Sequence, residues 1–265
     1  MAPDPSSPAA FDFLARIALC YAALLDTSLA DPDTGLGGKL FYAGELDDDG
    51  RALVVAANIA GAATLAVSAE AASQKQALRD GVVDFVVTNL DEALRILKNQ
   101  LRKRESVSVC VASQLSEIDR EMNQRGVAPD LLRRELRVPQ YHEALVHHES
   151  QENELDLGKI PALVTWRVDS ALPKDLALLD EIALACLDPE EWKSRRWLRL
   201  APRYLGRMAQ GLRMLSCDHK FIARFIERIR QSVDLGEFAV AVEISLYSRG
   251  VRDEFRFATA KPSSP

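Results

Sequence analysis

The stretch that decides the fold is KLFYAGELDDDGRALVVAANIAGAA, residues 39–63. Its first five residues, Lys39 to Ala43, form a strand-like apolar run, and a helix-like apolar run begins at Ala52. The acidic segment, Gly44–Gly50, separates the two runs. A strand, a glycine-bearing loop and a helix in this order are typical of a nucleotide-binding α/β unit, in which the loop and the helix N-terminus hold a phosphate.

The acidic segment has a composition that opposes phosphate binding. It carries four carboxylates, on Glu45, Asp47, Asp48 and Asp49. Two like charges about 4 Å apart repel by about 4 kcal/mol at an effective dielectric of about 20, and about 1.4 kcal/mol corresponds to tenfold in affinity. A divalent cation between Asp47, Asp48 or Asp49 and a phosphate is an alternative, but a run of solvated acids is the more frequent outcome. We therefore expect no metal here.

Length and composition restrict the class of protein. The chain has 265 residues, a net charge of −6 and 48% hydrophobic residues, which is typical of a globular protein of one or two domains. The negative charge argues against nucleic acid as a partner. No apolar stretch reaches the roughly 20 residues that a membrane span needs, and the N-terminal residues do not form a signal peptide. The four cysteines lie far apart and form no Cys-x-x-Cys pair, so we expect a reduced, cytoplasmic protein.

Strand-like and helix-like runs alternate from Lys39 to about Asp130. The predicted strands are Lys39–Ala43, Ala63–Val67, Val82–Val87 and Val107–Val111. The predicted helices are Arg51–Gly61, Glu70–Arg79, a helix that Asp91 caps or opens and that runs to about Lys103, and Ser116–Gln124, which Gly126 ends. This alternation indicates a parallel sheet with right-handed crossovers, and we predict a Rossmann-like domain over residues 36–149.

The rest of the chain has a different pattern. Residues 10–35 and 150–260 are expected to form a smaller, mostly helical remainder into which the Rossmann-like domain is inserted. The predicted elements are a helix Phe11–Leu29, a strand Leu163–Val168, three helices Leu172–Leu187, Pro189–Leu215 and His219–Val233, and a final strand Phe238–Leu246. Glu149–Glu154 is predicted as a linker, and residues 1–9 and 260–265 as tails.

In its order along the chain, a series of short motifs resembles the urocanase (urocanate hydratase) family. Its members are lyases that use tightly bound NAD. The motifs are Gly37-Gly38-Lys39-Leu40, Ala43-Gly44, Ala56-Ala57-Asn58-Ile59-Ala60-Gly61-Ala62, Gly81-Val82-Val83-Asp84, Leu90-Asp91-Glu92-Ala93-Leu94, Arg125-Gly126-Val127-Ala128-Pro129-Asp130, Pro173-Lys174-Asp175-Leu176, Asp180-Glu181, Arg196-Trp197 and Gln210-Gly211-Leu212. The resemblance implies a Rossmann-like fold that corresponds to the NAD-binding middle of the family.

The resemblance also assigns positions to the family's functional groups, most of which this chain has changed. If NAD binding is retained, the cofactor-binding residues are Gly44, Gly50, Glu70, Ser113 and Gln114. The family's glycine run is acidic here, its ribose acid falls on Ser68, two residues before Glu70, and its catalytic cysteine aligns near Asp156. The resemblance therefore assigns no catalytic residue, and no cofactor is predicted unless the family function is retained.

A basic segment, Lys193–Arg230, is the strongest signal outside the resemblance. Two triplets with helical spacing, candidates for binding an anion or an acidic partner, are Arg199, Arg203, Arg207 and Lys220, Arg224, Arg228. Pairing of these cations with carboxylates of the same chain is the favoured alternative. His142, His147 and His148 with Glu149 are read as a polar surface rather than a metal site. Cys217 beside Asp218 and His219 is read as an inert cysteine at a helix junction.

The residues favour a urocanase-like protein that has lost NAD binding and hydratase activity and acts as a binding or interaction module. One alternative is an active NAD-dependent lyase with a rebuilt site, in which Glu70 holds the ribose and Arg133, Arg134 or Arg137 holds phosphates. Another is one half of a two-chain enzyme. We expect a homodimer or a partner chain, no membrane and no nucleic acid.

Overall fold

The computed structural model describes residues 8–27, 30–138, 162–168, 173–205, 212–238, 241–248 and 251–257. Its first sheet has five strands: β1 (Leu40–Glu45), β2 (Ala63–Val67), β3 (Phe85–Val87), β4 (Val107–Val111) and β5 (Leu131–Leu132). They are all parallel, in the order β3-β4-β2-β1-β5. The predicted parallel α/β fold is confirmed.

Helices connect these strands. They are α2 (Asp48–Ala60), α3 (Ala71–Arg79), α4 (Leu90–Lys103) and α5 (Leu115–Arg125), and a single 3₁₀ turn, Arg133–Glu135, follows β5. The chain passes from β1 to β2 on one side of β1 and later returns to β5 on the other side. The strand order therefore reverses beside β1, which is where sheets of this kind form a crevice at their carboxyl ends.

Helix α2 is buried almost all round. Every residue from Ala52 to Ala60 is buried, including the polar Asn58, whose amide donates to Ser108 of β4 at 3.1 Å. The helix contacts the sheet on one side and two further helices, α1 (Pro8–Thr27) and α7 (Trp192–Leu205), on the other. Its nearly continuous apolar sequence follows from this position between two layers.

The remaining elements include a four-stranded antiparallel sheet, in the order β7-β6-β8-β9. Its strands are β6 (Ala162–Val168), β7 (Leu212–Cys217), β8 (Val242–Ser248) and β9 (Val251–Phe257), and its other helices are α6 (Pro173–Cys186) and α8 (His219–Asp234). Trp166 packs on Phe225 of α8, with ring centroids 4.9 Å apart, whereas Tyr247 packs on Phe11 of α1 at 4.4 Å. Because Tyr247 lies opposite Leu163, three residues from Trp166, these contacts cover opposite faces of the sheet.

Several predicted elements are wrong or incomplete. Leu212–Cys217 is a strand rather than the end of a long helix, and the strands β5 and β9 were not predicted. Strand β3 starts only at Phe85, because the preceding Asp84 carboxylate accepts the N–H of Ser108 at 2.8 Å and takes over that end of the pairing. Asn89, rather than Asp91, caps α4. The predicted linker Glu149–Glu154 and both tails lie outside the described residues, apart from Pro8 and Ala9 at the start of α1.

Candidate functional site

The carboxyl ends of the parallel strands carry the residues that the sequence assigns to a cofactor. Gly44 lies near the end of β1 and Gly50 in the first turn of α2. Glu70 follows β2, and Ser113 and Gln114 follow β4. Glu70 and Gln114 are the residues just before α3 and α5, and neither side chain makes a capping hydrogen bond. The topology therefore brings the five residues to one edge of the sheet.

The connection between β1 and α2 is much tighter than the sequence predicts. Strand β1 continues through Gly44, which has φ of +69° at an irregularity in the pairing with β2, and ends at Glu45. Helix α2 begins at Asp48, so only Leu46 and Asp47 connect the two elements. A Cβ at Gly50 would collide with the carbonyl oxygen of Glu45, so a glycine is required for this close approach.

Asp47 occupies the N-terminus of α2. Its carboxylate accepts the backbone N–H of Gly50 at 2.6 Å, and its carbonyl accepts the N–H of Arg51 at 2.8 Å. The free N–H groups and the dipole of a helix N-terminus make it a binding site for anions. Here a carboxylate of the same chain fills that role.

Arg133, from the 3₁₀ turn after β5, neutralises the Asp47 carboxylate. Its guanidinium donates to both carboxylate oxygens, at 2.9 and 3.0 Å, and to the carbonyl of Glu45 at 3.1 Å. Burial opposes ionisation of Asp47, but the hydrogen bonds from Arg133 and Gly50 outweigh it and lower the pKa of this carboxyl. Burial and the nearby Asp47 charge instead raise the pKa of Glu45.

Asp49 has partners from two parts of the chain. Arg16 of α1 donates to it at 2.9 Å, and Arg133 lies 3.8 Å away. Among the described residues, two of the four acids are therefore paired with cations of the same chain. The partners are 33 and 86 residues away from the acids they bind, so no local pattern indicates them.

A cleft of about 700 Å³ opens where the strand order reverses. Its walls come from the end of β1, from α5 with the loop that follows it, and from the end of β5. The lining residues are Tyr42, Gly44, Glu45, Asp47, Leu115, Asp119, Met122, Asn123, Val127, Ala128, Pro129, Leu132, Arg133 and Arg134. Of the five predicted cofactor residues, Gly44 alone lines this cleft, whereas Glu70, Ser113 and Gln114 belong to the other half of the sheet edge.

Tyr42 and Asp119 join two walls of the cleft. The Tyr42 hydroxyl donates to the Asp119 carboxylate at 2.7 Å. Burial and this hydrogen bond raise the pKa of Tyr42 far above its usual range, so the phenol stays protonated. Neither residue is among the site residues that the sequence predicts. The sequence feature that could have indicated them is a tyrosine, Tyr42, near the end of a buried strand, because ligands bind at that edge of such sheets.

The cations of the basic segment have several different surroundings. Arg224 pairs with Asp188 at 2.8 Å, while Arg199, Arg203, Lys220 and Arg228 are exposed on α7 and α8. Other cations hold elements together: Lys193 binds Asp26, Arg213 binds Asp180, and Arg195 donates to the carbonyls of Leu184 and Leu187. Arg207 lies outside the described residues.

Cysteine and histidine chemistry has little support in the described part of the chain. Burial raises the pKa of the Cys20 and Cys110 thiols to about 12 and raises that of Cys217 as well. Among the described residues, no group of three His, Cys, Asp or Glu side chains is placed to hold a metal ion. His142, His147, His148, Glu149 and Asp156 lie outside the described residues.

The parallel sheet and the crevice beside β1 define the class of this domain: it is a Rossmann-like α/β domain. In a comparison with family models, residues 20–136 match the urocanase Rossmann-like domain. The Rossmann-like region therefore carries a urocanase-type domain, which confirms the resemblance over these residues. The matched range begins inside α1 and ends just after the 3₁₀ turn.

The residues around α2 do not fit the NAD that the family implies. A dinucleotide of a Rossmann-like domain places its pyrophosphate on the helix after the first strand. In this chain Asp47 already accepts the Gly50 N–H at that helix, and the Arg133 guanidinium beside it is engaged by Asp47. Among the helices of the described ranges, none combines the length and apolarity that a bilayer-spanning segment needs.

Proposed function

We propose that this urocanase-like protein has lost NAD binding and urocanate hydratase activity and acts as a binding module through the cleft beside β1. The observation that carries the proposal is the Asp47 carboxylate on the N-terminus of α2, held from the other side by Arg133. A pyrophosphate would have to displace a carboxylate that already has its hydrogen bonds and its counter-ion. The cleft offers a concave surface of polar and apolar groups of the size that small ligands use.

The test starts with the purified full chain. Absorbance and mass spectrometry report any bound dinucleotide, a urocanate assay reports turnover, and thermal denaturation is repeated with NAD, NADH and ADP-ribose. We expect no dinucleotide, no turnover and no shift in melting temperature, since a ligand of the folded state raises it. Stoichiometric NAD together with urocanate turnover would overturn the proposal.

A double variant tests the reason for the loss. Replacing Asp47→Ser and Asp49→Ser removes two carboxylates but keeps a hydroxyl that caps a helix. It also frees Arg133 and Arg16 at the N-terminus of α2. We expect ADP-ribose to raise the melting temperature of this variant and to leave that of the original chain unchanged. Asp234→Asn, an exposed acid at the end of α8, is the matched control for general loss of negative charge.

The cleft also supports a second candidate, an enzyme with a rebuilt NAD site. Arg134 lines the cleft and makes no hydrogen bond or ion pair with the described residues, so its guanidinium is available for a phosphate in the cleft. This candidate predicts that NAD raises the melting temperature of the original chain and that Arg134→Ala removes the shift. Without any shift across the nucleotide panel it is rejected.

Association and cellular location are part of the same proposal. A homodimer or a partner chain remains our expectation, and light scattering of the purified chain with co-purification from its host distinguishes the two. The four cysteines are buried free thiols, which supports the reducing cytoplasm as the compartment.

A further inference from the structure

Some charged groups of the cleft have no partner among the residues that the structure describes. Arg133 is committed to Asp47 and to the Glu45 carbonyl. The Glu45 carboxylate, by contrast, accepts no hydrogen bond from the residues that the structure describes, although its side chain lines the cleft. From the described residues, Asp119 accepts one hydrogen bond, donated by Tyr42 to one of its two oxygens. The lining therefore contains two carboxylates with acceptor positions, and one guanidinium, that of Arg134, that the described residues leave unused.

The other wall of the cleft is apolar. Leu115 and Met122 project from α5, Val127 and Pro129 follow in the loop after it, and Leu132 ends β5. Met122 is buried, and the others are partly covered by the protein. A ligand body that covers these side chains removes apolar surface from water, which is the main favourable term in binding of small molecules.

The lining selects against two classes of ligand. Phosphates meet the carboxylates of Glu45 and Asp119, and a bare metal ion finds no group of three ligands among the described residues. We propose that the cleft binds a small organic ammonium ion with an apolar body, with Glu45 and Asp119 as its charge partners. This inference rests on the proposed function, because it takes the cleft as a binding site that no dinucleotide occupies.

Three probes of the same shape test the ligand class. Benzylamine, benzyl alcohol and benzoate differ at one end in charge and share an aromatic body. Calorimetric titration of the full chain at neutral pH should show saturable binding of benzylamine, at least about tenfold tighter than that of benzyl alcohol, because hydrogen bonds between two charged groups are the stronger kind. Benzoate that binds as tightly as benzylamine, or benzylamine that does not saturate, overturns the proposal.

Two variants locate the site. Glu45→Gln and Asp119→Asn each remove one charge and keep an oxygen that accepts hydrogen bonds, so the Tyr42 contact is preserved. Each should weaken benzylamine binding about tenfold and leave benzyl alcohol unchanged. Asp234→Asn should leave both unchanged. Unaltered benzylamine binding in both cleft variants overturns the proposal, and the ranking of probes on the original chain decides the matter if a variant does not fold.

The same preparation separates the two proposals. If it carries no dinucleotide and benzylamine does not bind, the ligand class is wrong and the proposed loss of NAD binding stands. If it carries NAD and turns over urocanate, the proposed function itself is wrong, whatever the probes do.

Discussion

Asp47 has two roles in the fold, since its carboxylate caps α2 and binds Arg133. We predict that Asp47→Ala lowers the free energy of unfolding by about 1–2 kcal/mol, the range for loss of a good helix cap. Asp48→Ala is the matched control, because Asp48 is exposed and makes no hydrogen bond or ion pair with described residues; it should change stability by about 0.5 kcal/mol or less. Urea denaturation of the three proteins measures both values.

The difference in free energy of unfolding between the original chain and Asp47→Ala should depend on pH, because the pKa of Asp47 is lowered. Its folded-state pKa lies below its unfolded value of about 3.9, so its ionised form stabilises the fold at neutral pH. This contribution is lost as the pH falls through the folded-state pKa. The gap between the original chain and Asp47→Ala should therefore narrow at acidic pH, and a gap that stays constant down to the lowest measurable pH would contradict the assignment.

The buried cysteines should be unreactive in the folded protein. Because burial raises the pKa of Cys20 and Cys110 to about 12 and raises that of Cys217, almost no thiolate exists at pH 8. We predict that a thiol reagent such as DTNB reacts slowly with the native chain and rapidly with four thiols after denaturation. Fast reaction of one thiol in the native chain would identify a reactive cysteine and revive the candidacy of Cys217.

At the scale of elements, α2 is held at both ends by side chains from distant parts of the chain. At its C-terminus the half-buried Arg196 of α7 donates to the carbonyls of Ile59 and Asp33, each at 3.2 Å. Gly61, with φ of +99°, leaves the space for this guanidinium. A cation at this end of the helix also complements its dipole.

We predict that Arg196→Ala lowers the free energy of unfolding by about 2 kcal/mol, because two carbonyls lose a charged donor and the packed stem is removed. Arg199→Ala, on the exposed face of the same helix, should cost about 0.5 kcal/mol or less. Chemical denaturation compares the two variants, and equal effects would show that Arg196 does not join α7 to α2.

The elements that the sequence predicts well are those with strong local signals. Ala63–Val67 and Val107–Val111 are fully buried strands, and the predicted and observed bounds agree. Leu212–Leu215 was predicted as the end of a helix, because a short apolar run is compatible with a helix as well as with a strand. Strand β9 was missed because the exposed Asp253, Glu254 and Arg256 obscure the hydrophobic pattern that predicts a strand. Such charges are frequent on an edge strand, which β9 is.

At the scale of the whole molecule, the two sheets depend on a shared layer of helices. Residues of α1, α2, α7 and the antiparallel sheet belong to one continuous apolar core. The fragment 30–138 contains the complete parallel sheet but lacks α1 and α7, so it exposes the outer face of α2. We predict that this fragment binds the dye ANS and loses near-ultraviolet circular dichroism, whereas the full chain does neither.

Cooperative unfolding of the isolated fragment, with a melting temperature near that of the full chain, would contradict this dependence. It would also support residues 36–149 as an autonomous domain, which remains a prediction. The location of the site at the carboxyl edge follows from the alternation of strands and helices alone. The charge pairs that characterise it do not, because Arg133 and Arg16 reach the acidic segment only through the tertiary fold.

The pair formed by Asp47 and Arg133 has an evolutionary consequence. If one member becomes neutral in a descendant, the charge of the other loses its partner beside the sheet. The change does not create a phosphate-binding site while the Asp49 carboxylate persists. Under the proposed function, a return to dinucleotide binding therefore needs coordinated replacement of Asp47 and Asp49. Positions 47 and 133 should consequently covary across the descendants of this chain, as an acid with a base or as two uncharged residues.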